Sequence, residues 1–345
     1  MVKIRSDDDH TKTAHRTGPK TTRHTGPEHF RLETQDIPAL SPGQIRVKNQ
    51  FLSLDPYMRG RMSDAPSYAA PVEIGEVMVG GTVGLVEESQ SSHFKAGDQV
   101  VTFGGWQSHS VVPEQMAQRL PPALTQPSLA LSSLGMPGFT AYMGLTDIGQ
   151  PQPGETIVVA AASGPVGSVV GQVAKLKGCR VVGIAGGEAK CRYVQDVLGF
   201  DACLDHKMPD LAGRLSRHCP DGIDIYFENV GGRVFDAVLP LLNPKARIPL
   251  CGLVSQYNQS ALPKGPDRMG QLMGQLLVKR VKVQGFIIFD DYGHRYGEFL
   301  DKMLPWVQEG RIQMREDHVQ GLAQAPEAFI GMLSGQNFGK LIVDL

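Results

Sequence analysis

The stretch TIVVAAASGPVGSVVGQVAKLKG, residues 156–178, constrains the fold more than any other part of the chain. A run of β-branched residues enters a loop of small residues, and an apolar helical pattern follows from Pro165. The loop carries Ala162-x-Gly164-x-x-Gly167, with Gly171 further along the helix. Gly164 lets a backbone approach a pyrophosphate, and Gly167 lets helix and strand pack closely. The helix start, with Val166 and Gly167 in its first turn, offers free N–H groups and a positive dipole end. Alanine replaces the first glycine of the usual dinucleotide fingerprint, so an ordinary tight strand-to-helix turn would look similar from this loop alone.

The neighbouring pattern decides between them. From residue 127 to 305 strands and helices alternate: TIVVA, RVVGI, ACLD, IDIYFEN, ARIPLCG and VKVQGFII read as strands, with helical segments such as GGRVFDAVLPLLN between. That rhythm predicts an α/β domain with a doubly wound parallel sheet, a Rossmann domain. Residues 28–126 differ, with short alternating segments split by Gly and Pro, as in QIRVKNQFLSL and DQVVTF, which predicts a small rolled antiparallel domain. The tail, residues 306–345, supplies a helix and a last strand that returns to the first domain. A length of 345 residues favours two cores over one.

The second strand, VVGIAGGEAK, ends without the usual acid. An Asp or Glu there would hydrogen-bond the adenosine ribose of NAD. Ala185 leaves no carboxylate to repel a 2′-phosphate, Gly186 and Gly187 leave room for one, and Lys190 supplies a cation. The pattern therefore predicts NADPH.

A net charge of −1 gives no field for nucleic acid or an anionic membrane, and no apolar run spans a bilayer or marks a signal peptide. The five cysteines, at 179, 191, 203, 219 and 251, are spaced neither as a disulfide framework nor as a zinc cluster, which fits reduced thiols in the cytoplasm. Residues 1–27 are polar and lack apolar periodicity, so they are expected to be disordered or weakly attached.

Several motifs taken together resemble the zinc-independent medium-chain reductases, the group with prostaglandin reductases and plant alkenal double-bond reductases: FLSLDPYMRGRM, IGEVMVGGTVGLV, LGMPGFTAYMGL, IDIYFENVGG, CGLVSQYN and GQNFGK. The resemblance runs from about Glu28 to Leu345. It implies a GroES-like antiparallel β domain beside the Rossmann domain, NADPH-dependent reduction of the carbon–carbon double bond of small enones, and a homodimer joined through the VKVQGFII strand. It places Met136, Gly138 and Thr140 at the nicotinamide end and Lys190 at the 2′-phosphate. Asn229, Cys251, Ser255, Tyr257, Phe286, Ile287, Ile288, Asn337 and Gly339 also fall at cofactor positions. Where many relatives have a tyrosine near the 2′-phosphate, this chain has His206, which can also donate. Relatives begin with a strand before PEHFRL that residues 1–27 do not resemble.

No metal site is expected, because the segments that carry zinc ligands in alcohol dehydrogenases contain neither Cys nor His here. An enolate oxygen then needs a neutral donor, and Tyr57 and Tyr292 fall where the group contacts substrate. Two alternatives remain: a quinone reductase of the zeta-crystallin type, and a non-enzymatic NADPH-binding protein.

Overall fold

Strand β1 (His10–Arg16) is built almost wholly of polar residues, yet Thr11, Thr13, Ala14, His15 and Arg16 are buried. The computed structural model describes residues 10–17, 25–259 and 267–345. Over residues 10–16 the expectation of a weakly attached segment is wrong. β1 pairs antiparallel with β2 (Phe30–Asp36), from His10 opposite Asp36 to Arg16 opposite Phe30. On its other edge the Ala14 amide donates to the Trp106 carbonyl at 2.8 Å. The side chains are satisfied as well: His15 Nδ1 lies 2.7 Å from the Gly75 carbonyl oxygen, and the Arg16 guanidinium donates to the carbonyls of Val72 and Met62. Hydropathy misses such a strand because its burial depends on hydrogen bonds to distant backbone. Residues 1–9 and 18–24 lie outside the described residues.

In β3 (Gln44–Ser53) Ile45 and Val47 are buried while Lys48 is exposed, the two-residue period of a one-sided strand. The short helix α1 (Tyr57–Gly60) follows, then β4 (Thr82–Ser89), β5 (Gln99–Thr102), β6 (His109–Pro113) and β7 (Gln118–Arg119). All the pairings among β3 to β7 are antiparallel.

Helix α2 (Met136–Met143) opens the second unit, Ser132–Arg315. Then come β8 (Thr156–Ala160), α3 (Pro165–Leu176), β9 (Arg180–Ala185), α4 (Glu188–Asp196), β10 (Ala202–Asp205), α5 (Leu211–His218), β11 (Ile223–Phe227), α6 (Gly232–Val238), β12 (Leu242–Leu250), α7 (Met269–Lys279), β13 (Lys282–Gly285), α8 (Ile288–Tyr292) and α9 (Tyr296–Gln308). The strands form one parallel sheet in the order β10-β9-β8-β11-β12-β13. Every residue of β8 is buried, as expected of a central strand covered on both faces. The chain leaves β8 toward β9 and crosses back to β11, so the winding reverses between β8 and β11. Ligands of such sheets bind at the carboxyl ends of the strands flanking that point.

The chain ends with β14 (Glu316–Gln320), α10 (Ala325–Leu333) and β15 (Lys340–Asp344), which belong to the first unit. β15 pairs antiparallel with β3 and parallel with β14, so the first unit's sheet takes in the end of the chain. The division falls after Leu131 and after Arg315 rather than at 126 and 305. Pro305 lies inside α9, whose Phe299 and Met303 are both fully buried.

Candidate active site

In the second unit the phosphate loop follows β8. Ala161 holds φ 51°, a left-handed conformation unusual for a residue with a side chain, costing about 1–2 kcal/mol. Its carbonyl accepts the Gly164 amide at 2.9 Å and turns the chain into α3. A Cβ on Gly167 would stand 2.4 Å from that same oxygen, so helix and loop meet too closely for any other residue. A Cβ on Gly164 would meet only Ala161, at 3.2 Å from its oxygen. Protein packing thus demands glycine at 167, whereas the open approach at 164 suits a ligand pressed on the backbone. Pro165 occupies the first helical position, and the amides of Val166 and Gly167 lie in the turn that has no intrahelical acceptors. These features fit a pyrophosphate.

The end of β9 meets the end of β10. A Cβ on Gly186 would lie 2.9 Å from His206 Nε2 and 3.4 Å from Lys207 Cε. Burial lowers the pKa of His206, and the charges of Lys207, Arg233 and Lys190 push the same way against Asp205. His206 and Lys207 therefore stand where NAD-binding strands carry an acid, within the field of Lys190 and Arg233. Burial opposes the charge on Asp205, yet the amides of Lys207 and Gly187, each 2.9 Å from Oδ1, hold its pKa below the usual range. Its carboxylate is engaged in shaping the Gly187 turn. The sequence named Lys190 and His206 for this place and did not name Lys207 or Arg233. The doublet His206-Lys207 was a usable signal, but Arg233 arrives from α6 and shows no sequence proximity.

At the carboxyl end of β11, Asn229 Nδ2 donates to the Ala160 carbonyl at 2.8 Å, tying the two strands that flank the switch point. Buried Glu228, also unforeseen, accepts from the amides of Val230 and Gly231 at 2.6 and 2.8 Å through one oxygen. Burial raises its pKa against those amides. Its backbone carbonyl accepts from Cys251 and Gly252, and Ser255 Oγ donates to the Val230 carbonyl at 2.5 Å. The structure thus brings Asn229, Cys251 and Ser255 together; a Cβ on Gly252 would lie 3.0 Å from the Tyr257 hydroxyl, which places Tyr257 in the same cluster. Burial, then Glu228, pushes the Cys251 thiol up to about 12, so it stays a neutral thiol.

Met136 begins α2, and its carbonyl accepts the Thr140 hydroxyl at 2.7 Å. A Cβ on Gly138 would overlap the Ser133 carbonyl oxygen at 1.9 Å, which explains that glycine by packing alone. Phe286 and Ile288 are buried, and the Ile287 amide donates to Asp291 at 2.8 Å. Tyr292 closes α8, its ring 6.2 Å from that of Phe286 and the Arg295 guanidinium carbon 6.0 Å from its centroid. Burial, Asp147 and Asp291 raise its pKa against Arg295.

In the first unit Tyr57 begins α1, and burial, then Asp55 and Tyr68, hold its pKa well above the usual tyrosine range. Both candidate donors are therefore neutral hydroxyls at physiological pH. Asn337 Nδ2 donates to the Gly339 carbonyl at 2.9 Å, just ahead of β15. Among the described residues, no group of three or more His, Cys, Asp or Glu is arranged to hold a metal ion.

Residues 19–120 match the family described as the N-terminal domain of oxidoreductase, and residues 165–308 match the zinc-binding dehydrogenases. The NADPH-dependent curcumin reductase of Escherichia coli is 58% identical over 92% of this chain and 92% of its own. Prostaglandin reductase 1 of Mus musculus is 41% identical over 91% of this chain and 93% of its own. A crystal structure of CurA from Vibrio vulnificus in complex with NADPH superposes with a TM-score of 0.93 at 58% identity, covering 96% of this chain and 98% of that one. Such a two-unit architecture with a switch-point phosphate loop defines a nucleotide-dependent oxidoreductase. The chain belongs to the medium-chain dehydrogenase/reductases, in the group of the curcumin, prostaglandin and alkenal reductases.

Proposed function

We propose that this chain uses NADPH to reduce the carbon–carbon double bond of α,β-unsaturated ketones and aldehydes, curcumin-type enones among them. The observation that carries the reading is the acid-free end of β9, where Gly186 faces His206 within the field of Lys190, Lys207 and Arg233. The substrate class rests on the names of the curcumin and prostaglandin reductases it resembles.

When bound, NADPH supplies the hydride. The turn from Gly164 to Gly167 holds the pyrophosphate with backbone amides, and the four basic side chains hold the 2′-phosphate. Asn229, Cys251, Ser255, Tyr257 and the Phe286–Ile288 segment would line the cofactor, with Met136, Gly138 and Thr140 toward its nicotinamide end. Tyr57 orients the substrate carbonyl, and Tyr292 donates to the oxygen that becomes an enolate. Their raised pKa values suit hydrogen-bond donation without ionisation.

The same reading includes a cytoplasmic homodimer. Edge strand β13 and helix α7 carry the exposed apolar residues Met269, Met273, Leu277, Val278 and Val283, and α7 buries none of its residues within this chain. An edge strand beside an apolar helix suits a second copy of itself.

The test is NADPH oxidation against a panel of enones, quinones and saturated alcohols, with NADH in parallel. Turnover concentrated on enones, and faster with NADPH, is expected. Turnover on quinones with inert enones would replace the substrate class.

A further inference from the structure

Two segments of the first unit that are far apart in sequence, LDPY and NFGK, are joined by a buried charge pair. Lys340 is fully buried, and its ammonium group donates to the Leu54 carbonyl at 2.7 Å and to Asp55 Oδ1 at 2.8 Å. Ser53 Oγ donates to the other Asp55 oxygen. The Leu54 amide donates to the Leu341 carbonyl at 3.2 Å, and Ile342 pairs with Ser53 across the β15–β3 ladder. The Asp55 carbonyl accepts the Met58 amide at 3.1 Å and so starts α1, whose first residue is Tyr57. On the other side of the pair, Gly339 and Asn337 immediately precede Lys340.

A buried ion pair is a poor way to gain stability, since an apolar pair of similar volume often does as well or better. What it supplies is geometry. A lysine that must reach one carbonyl and one carboxylate at once admits a single placement of β15 against the chain that enters α1.

We infer that Asp55 and Lys340 are positioning residues that lock Tyr57 and the Asn337–Gly339 turn into one rigid arrangement, so that enone reduction depends on the pair although neither side chain touches substrate. The inference rests on the assignment of Tyr57 to the substrate. Neither residue was given a role from the sequence: each lies inside a motif, but the two meet only in the folded first unit.

The experiment compares four enzymes by steady-state kinetics on one enone, with melting temperature alongside: wild type, Tyr57→Phe, the neutral pair variant Asp55→Asn/Lys340→Met, and all three changes together. The pair variant buries no lone charge and is expected to melt within a few degrees of wild type, while its turnover falls tenfold or more. Adding Tyr57→Phe to it should then cost less than twofold, because the hydroxyl is already misplaced. Near-wild-type turnover in the folded pair variant, or full additivity with Tyr57→Phe, overturns the positioning role alone. Near-wild-type turnover in Tyr57→Phe by itself overturns both the assignment of Tyr57 and the role built on it. If the pair variant does not fold, Asp55→Asn, which keeps the size and one acceptor for Lys340, is read in the same cycle against the same outcomes.

Discussion

His206 and Lys207 lie beside Gly186, and the charges of Lys190 and Arg233 act on His206, so the proposed 2′-phosphate contact would be shared among four basic side chains. Replacing Lys190 with alanine should weaken NADPH binding by about 1.5–3 kcal/mol, near the low end because three neighbours remain, and leave NADH almost unaffected. Equal losses for both cofactors in titration calorimetry would remove Lys190 from the phosphate site. His206 carries a pH prediction. In the free protein burial and the neighbouring cations depress its pKa, so the unfolded chain binds the proton first as pH falls. Its contribution to stability is therefore present above roughly pH 6.5 and is lost below it. A phosphate dianion among those cations reverses the local field and raises the bound-state pKa. NADPH affinity should then increase with proton uptake as pH falls toward about 6.5 and below, and the increase should vanish with NADH and in His206→Gln. A flat profile in the wild type would show that His206 does not face the phosphate. Tyr292→Phe keeps the ring against Phe286 and removes only the hydroxyl, so kcat should fall by about 10²–10³ with KM little changed if Tyr292 is the main donor. A rise in KM at constant kcat would make it a binding residue instead.

The parallel sheet was legible because its central strands, such as TIVVA and VVGIA, are short apolar runs bounded by turn residues. The phosphate loop was legible because close packing at Gly167 leaves the sequence no freedom. β1 was illegible. Its burial rests on histidine and arginine side chains whose acceptors lie some 45 to 60 residues away in Met62, Val72 and Gly75, and on Thr11, which donates to the still more distant His109 carbonyl, beyond the reach of any local pattern. Removing residues 1–16 would strip β2 of its partner and expose the stacked rings of Phe30 and Trp106, whose centroids lie 5.2 Å apart. The truncated chain should melt at least several degrees lower in scanning calorimetry, or fail to accumulate as soluble protein. An unchanged melting temperature would mean that the pairing of β1 contributes nothing to the fold.

At the scale of the whole molecule, the face made by α7 and β13 carries the prediction of assembly. Leu277 and Val278 are 78% and 76% exposed, so Leu277→Glu with Val278→Glu should leave the monomer's core and NADPH affinity intact while converting a dimer to a monomer in analytical ultracentrifugation. A dimer that survives both charges would move the interface elsewhere. Sequence alone determined what local chemistry dictates: apolar periodicity set the parallel sheet, glycines at 164 and 167 set the tight turn into α3, and a missing acid at 185 set the expectation of NADPH. Tertiary structure alone decided which distant groups share one field or one hydrogen bond. It brought the charge of Arg233 to bear on His206, carried the last strand back to β3, and set Lys340 against Asp55. Electrostatic fields and buried hydrogen bonds act through space over a few ångströms, whereas a sequence pattern reports only neighbours along the chain.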